Sequence, residues 1–183
     1  MNIKKPKITT CEDIDINEIK NIEYITNYNI KGTINSKIEI NEQTIDTCIF
    51  TNIDFTNIEL NKVDLVDCIF ENCNLSNKIF DNKLITRVTF KNCKMLGTSF
   101  ITSSLKDVEI DKCITKYLNF TNAKINNVSI KESEIIDATY YETEIKELEI
   151  ANTNLNGTEF VNSILKGVDL STCEINDTTF DLK

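Results

Sequence analysis

The chain has 183 residues with 29 acidic and 20 basic side chains, no histidine, and a net charge of −9. That length suits one domain, and the absence of histidine removes the commonest general base and the usual catalytic triads. The acidity argues against direct nucleic-acid binding, no segment is apolar enough to span a bilayer, and one proline with four scattered glycines leaves no flexible linker between residues 40 and 180.

The first 35 residues hold no strict pattern. Lys4, Lys5 and Lys7 around Pro6 are basic like the start of a signal peptide, but the apolar run that must follow is missing, so the protein is expected to be soluble and cytoplasmic. Ile14, Ile16, Ile19 and Ile22 are expected to build an N-terminal cap over residues 1–35, with residues 15–24 as a short helix or strand.

From Ile40 to Phe180 every fifth residue is large and apolar, with Thr115 the one exception in 29 positions. Neither a helix of period 3.6 nor a flat strand of period 2 holds a period of five. The residue two before each apolar centre is Ala, Cys, Ser, Thr or Val in 21 of the 27 repeats centred on 50 to 180, so two positions per repeat face inward. A chain that turns a corner after each five-residue side closes a square coil after four sides, and the next coil stacks on it. Gly97, Gly157 and Gly167 all fall two residues after a centre, at the corner.

This pattern resembles the pentapeptide-repeat family, whose consensus runs small residue, Asp or Asn, Leu or Phe, polar residue, then often Gly; Asp54, Asp64, Asn74, Asn119, Asn154 and Asp169 occupy its second position here. The resemblance implies an all-β, right-handed quadrilateral β-helix over residues 36–183, of about seven 20-residue coils beyond the cap, forming one structural domain.

Twenty-residue coils predict ladders. Leu60, Phe80, Phe100, Phe120, Tyr140, Phe160 and Phe180 should stack on one side, and Phe50, Phe70 and Phe90 should begin a second stack. Six of the seven cysteines fall in the small inward slot, with Cys73, Cys93 and Cys113 spaced by 20, which marks them as buried hydrophobes in a reducing compartment. Without histidine or a Cys-x-x-Cys pair, no zinc site is expected, nor any other metal or cofactor. With no Gly-rich phosphate loop and carboxylates confined to outer walls, the chain is expected to be non-enzymatic.

Two places break the pattern without breaking the phase. Lys78 and Lys83 occupy small inward slots while Ile79 and Leu84 take polar ones, which predicts either a local bulge that turns the lysines out or lysine stems lying along the wall. At Thr115, flanked by Ile114, Lys116, Tyr117 and Leu118, either Ile114 or Leu118 is expected to replace the polar centre inside. Charge is also uneven. Residues 87–131 carry +5 as a lysine and arginine belt and residues 132–183 carry −9, with Glu132, Glu134, Asp137, Glu142, Glu144 and Glu147 crowded into less than one coil.

These residues and the two irregular patches are the candidate partner contacts: Lys78, Ile79, Lys83, Leu84, Ile114, Lys116 and Tyr117 together with the six acids. The family resemblance implies a DNA-mimicking binder of bacterial type II topoisomerase, DNA gyrase or topoisomerase IV, as in its quinolone-resistance branch, although no projecting loop interrupts this chain. The alternative is an adaptor rod for another protein. The final coil, close to the end of the sequence, predicts an end-to-end homodimer.

Overall fold

A five-residue side can turn a corner when one residue leaves the extended conformation. The residue two after most centres does so: Asp67, Asn72, Asn77 and Asn82, which complete one circuit, have φ of 50°, 55°, 59° and 58°. Among the described residues Asn occupies ten of the 23 non-glycine positions with positive φ, which explains its abundance, because its short amide tolerates the left-handed region better than most side chains.

The computed structural model describes residues 2–41, 43–166 and 168–183 and shows a right-handed quadrilateral β-helix of about eight turns. Its strands are β1 (Glu12–Asp15), β2 (Tyr28–Lys31), β3 (Ile38–Asn41), β4 (Thr44–Asp46), β5 (Ile49–Thr51), β6 (Ile58–Asn61) and β7 (Asp64–Glu71). They continue as β8 (Leu84–Lys91), β9 (Ser104–Asp111), β10 (Lys124–Lys131), β11 (Thr139–Tyr141), β12 (Glu144–Ala151), β13 (Glu159–Lys166) and β14 (Thr179–Leu182). All pairing among the described residues is parallel, and beyond the first turn the step is 20 almost throughout, as in Phe70↔Phe90 and Val88↔Val108. The eight-residue strands each cover two walls and bend at a skipped pair, at Asp67 in β7 and Arg87 in β8. The other two walls are joined in the middle of the rod by isolated bridges such as Asn74↔Lys94 and Ile79↔Ser99, and one of them carries short ladders toward the ends, β3 with β6 and β13 with β11 and β14.

The sheet reaches further toward the N-terminus than the five-residue beat. β2 pairs with β5, and β1 pairs with β2 at Glu12↔Tyr28, so the first turn is shorter than the rest. A 3-10 helix, Ile16–Asn21, fills one side of that turn; Asp15 caps it by accepting from the Asn17 amide, and Ile16 and Ile19 are buried. The residues before β1 run along the outside of the rod, across the coils.

The predicted ladders are present. Rings stack from Phe80 through Phe100, Phe120, Tyr140 and Phe160 to Phe180 with centroids 4.6 to 5.5 Å apart. Phe50, Phe70 and Phe90 form the second stack at 4.8 and 5.2 Å. Burying each such ring contributes roughly 1.5 to 3 kcal/mol before entropy is counted.

The inward slot is selected for more than size. Thr98, Thr143 and Thr158 donate their hydroxyls to Leu75, Phe120 and Ile135 carbonyls in the coil below at 2.7 to 2.9 Å, and the Cys68 and Cys93 thiols donate to Ile45 and Phe70 carbonyls at 3.3 and 3.4 Å. Each of these donors reaches the carbonyl of a core centre 23 residues earlier, whereas slots such as Val88, Val108 and Ala123 are filled on size alone.

Two sequence expectations need correction. There is no bulge at residues 78–84: the register on either side is unbroken, Ile79 and Leu84 point out at 62% and 58% exposure, and Lys78 enters the slot with its ammonium donating to the Ile58 carbonyl at 2.8 Å. The chain keeps its phase because a lysine stem can lie in the slot when its charge finds a carbonyl at the rim. Thr115 is not displaced either. It is fully buried with its hydroxyl on the Glu134 carbonyl at 2.6 Å, and Leu118 supplies the missing volume from the next slot while Ile114 stays outside.

Candidate functional site

Apolar side chains left on a polar wall are informative because nothing in the core needs them. On the wall centred on Leu75, Met95 and Thr115, Ile114 bridges Lys94 in the coil below and Glu134 in the coil above, and is 39% exposed. Leu96, 37% exposed, lies one coil below Lys116, since the Gly97 amide donates to the Lys116 carbonyl at 2.8 Å. Tyr117 stands at the adjoining corner with φ 62° and 60% exposure, directly above Gly97. Gly97 has φ 63°, and a Cβ there would come within 2.7 Å of the Asn77 side-chain oxygen.

Thus Ile114, Lys116 and Tyr117 are brought together, and Leu96 joins them. Leu96 was not a sequence candidate because it occupies an ordinary outward position; only the 20-residue step from Leu96 to Lys116 connects it with the irregular patch. Ile79 and Leu84 are not brought onto one wall, since the corner at Asn82 separates them. Lys78 is half-buried, and desolvation holds its ammonium below the ordinary lysine range. Lys83 is half-buried too, its amide donating to Ser103 Oγ at 3.1 Å.

The six acidic candidates encircle the rod. Glu132, Asp137, Glu142 and Glu147 occupy the four successive corners of one turn, with φ between 47° and 56°, and Glu134 and Glu144 sit on two walls between them. They form a girdle, whereas a stripe along the axis would need acids repeated every 20 residues. Three of them face cations: Glu132 with Lys112 at 3.6 Å, Glu134 with Lys116 at 3.5 Å and Glu144 with Lys146 at 3.0 Å, the last holding the Glu144 carboxyl below its ordinary range. The basic belt is similarly matched between coils, with Lys91 on Glu71 at 3.1 Å and Lys131 on Glu149 at 3.2 Å. Among the described residues, Asp137, Glu142 and Glu147 have no ion-pair partner within 4.0 Å.

All seven cysteines are free. Burial pushes the Cys48 thiol up to about 11 and the Cys68 thiol higher still, and contact with Cys93 together with burial pushes Cys73 and Cys113 up. Such thiols are poor nucleophiles and poor metal ligands. Among the described residues no group of three or more Cys, Asp or Glu is placed to hold a metal ion, and no helix is long and apolar enough to cross a membrane. The surface grooves are open, such as one lined by Asp13, Asp15, Glu18 and Lys31 beside the first turn.

A family profile described as a pentapeptide repeat region matches residues 63–140, and a second, described as pentapeptide repeats in eight copies, matches residues 48–77. No curated protein sequence matches the chain. Among solved structures, a trypsin-treated variant of QnrB1, a plasmid-mediated fluoroquinolone resistance protein, is similar over 78% of this chain and 79% of its own, at 16% identity and a TM-score of 0.40. HetL, a pentapeptide-repeat protein involved in heterocyst differentiation regulation in the cyanobacterium Nostoc sp. strain PCC 7120, is similar over 90% of this chain and 92% of its own, at 11% identity and a TM-score of 0.29.

Proposed function

We propose, from the premise that this chain belongs to the pentapeptide-repeat family, that it is a non-enzymatic rod that binds another protein through its outer walls. The observation that carries this reading is the cluster of Leu96, Ile114 and Tyr117 on an otherwise polar wall, since the interior is filled by stacked side chains and only the outside is free to recognise a partner. Lys116 at its centre and the unpaired Asp137, one coil above Tyr117 at its rim, supply the polar edge that such contacts need. Seven free thiols support a reducing compartment, the cytoplasm.

Charge favours a second, narrower reading, in which the partner is bacterial gyrase or topoisomerase IV. Net charge is −9 overall and −9 within residues 132–183 alone, which would draw the rod toward a basic DNA-binding surface. Supercoiling and fluoroquinolone-induced cleavage assays with each enzyme test it. Inhibition or protection that weakens in Asp137→Asn/Glu142→Gln/Glu147→Gln supports the topoisomerase reading, and no effect at hundredfold excess removes it. The wall reading is tested separately by affinity capture, comparing the wild-type chain with Ile114→Glu/Tyr117→Glu; a partner retained equally by both overturns it.

We also propose that the last turn pairs with a second copy. The centres Ile175 and Phe180 are 47% and 41% exposed there, where the preceding turns bury the equivalent Leu155 and Phe160, and Leu182 beside them is 49% exposed. Light scattering at micromolar concentration should show a dimer, and a monomer rules the contact out.

A further inference from the structure

The residues that precede β1 are bound along the rod by a set of polar contacts. Thr9 Oγ1 donates to Asn27 Oδ1 at 3.0 Å, the Lys7 amide to Asp67 Oδ1 at 2.8 Å and the Lys4 amide to Asp107 Oδ1 at 3.2 Å. Asn2 accepts on its carbonyl from Asn127 Nδ2 at 3.0 Å, and the Lys5 ammonium meets both Glu109 carboxylate oxygens at 2.6 Å. Asn27, Asp67, Asp107 and Asn127 all occupy the same corner of the square in different turns, with Thr47 and Arg87 on the turns between. Ile3, Pro6 and Ile8 are half-buried while Lys4, Lys5 and Lys7 remain exposed, so the segment lies on one edge as an extended strap.

Two spacings coincide. Asp67 and Asp107 are two coils apart, about 9.6 Å at an inter-strand spacing of about 4.8 Å, and two amides three residues apart in an extended chain are separated by about 10 Å. An extended peptide crossing the coils therefore presents a backbone donor to each aspartate, and any sequence with free amides at those two positions meets this requirement. The carboxylates are sunk beneath it, with Asp67 5% and Asp107 3% exposed. Each also has a partner that stays when the strap leaves: Arg87 for Asp67, Asn127 for Asp107. The corner is thus built without the strap and keeps acceptor capacity for incoming donors. Glu109, on the adjoining wall, adds selection for a positive side chain.

We propose that this corner is a binding site for an extended, lysine-bearing peptide of another protein, occupied in the free chain by its own N-terminal segment. The site lies apart from the Ile114–Tyr117 wall, and although Glu147 of the girdle stands on the same corner one coil beyond Asn127, it makes none of these contacts, so the site stands or falls independently of the wall proposed above. The strap competes with the incoming peptide at the high effective concentration of a tethered ligand, and a partner must displace it.

The test uses full-length protein and a fluorescent peptide of sequence NIKKPKITT, residues 2–10, followed by anisotropy. Lys4→Pro/Lys7→Pro removes both amide donors from the strap and leaves the corner intact. This variant is expected to bind the peptide at least tenfold more tightly than wild type, with binding weakened in 0.5 M salt. Adding Asp67→Asn and Asp107→Asn to it should return binding to the wild-type level; Glu109→Gln, a milder change at the wall, should weaken it about threefold even if the aspartate variant folds poorly. Equal binding by wild type and the proline variant overturns the proposal, as does binding that ignores both sets of corner substitutions.

Discussion

Arg87 lies one coil above Asp67 at the same corner and grips both oxygens of its carboxylate, Nε on Oδ1 and Nη2 on Oδ2, each at 2.6 Å. The Asp67 side chain is 8% exposed and the Arg87 side chain 21%, so this pair is far better shielded than the lysine pairs on the walls. The Arg87 contact holds the Asp67 carboxyl below its ordinary range, with the Lys7 amide adding to the effect. Arg87→Ala should therefore destabilise the rod by about 2 kcal/mol at pH 7, measured by denaturant unfolding. Because the folded carboxyl is lowered, its contribution is complete above the unfolded value near pH 4 and is lost as pH falls through the folded one. The loss of stability between pH 5 and pH 2 should accordingly be smaller in the variant than in wild type.

Tyr140 interrupts a column of phenylalanines, and its hydroxyl is buried without a hydrogen-bond partner. Its ring stacks at 4.8 Å on Phe120 and 4.6 Å on Phe160, so Tyr140→Phe keeps the packing and removes only the unsatisfied group. The substitution should stabilise the protein by about 1 kcal/mol, read as a higher denaturation midpoint at unchanged slope.

Thr143 donates to the Phe120 carbonyl at 2.8 Å from a slot that is 1% exposed. Thr143→Val preserves shape and removes one of the two donors to that carbonyl, which the Ala123 amide also bonds at 2.9 Å, and should cost about 1 kcal/mol, whereas Thr143→Ser keeps the donor and should cost less. Equal losses would mean that volume alone governs the slot.

Tyr117 holds a bulky side chain at φ 62°, a conformation that costs roughly 1 kcal/mol in a non-glycine residue. Tyr117→Gly should raise the melting temperature while weakening partner binding through the Ile114 wall. Opposite signs for the two effects would mark the tyrosine as retained for recognition rather than for folding.

Thiol labelling separates the seven cysteines. Cys11 and Cys173 are half-exposed and the other five are buried, so native protein should take up label rapidly at two sites and at the remainder only on unfolding, as read by mass spectrometry.

Most of the architecture was legible because a solenoid repeats its own core: the beat from Ile40 to Phe180 assigned the centres, the aromatic columns and the buried cysteines before any coordinate was known. Lys78 was harder, since whether a lysine in an inward slot turns out or lies along the wall depends on a carbonyl at the rim, here Ile58, that belongs to another coil. The acidic run was legible as charge but not as arrangement, because residues adjacent in sequence go around the rod whereas residues 20 apart run along it. The strap on Asp67 and Asp107 left no periodic trace. Its one signal was the pairing of Lys4, Lys5 and Lys7 with two aspartates 40 residues apart in the same column, which becomes meaningful only once the step is known.

The regular step also makes the length of this protein a quantised variable. Removing five residues would preserve the beat yet rotate every downstream wall by a quarter revolution, separating Lys116 from the column of Leu96 and moving Asp107 off the edge it shares with Asp67. Removing twenty would shorten the rod by about 4.8 Å and leave every column aligned. Surface patterns that run along the axis can therefore survive only those changes of length that come in whole turns, so the square cross-section acts as a reading frame for the outside of the molecule.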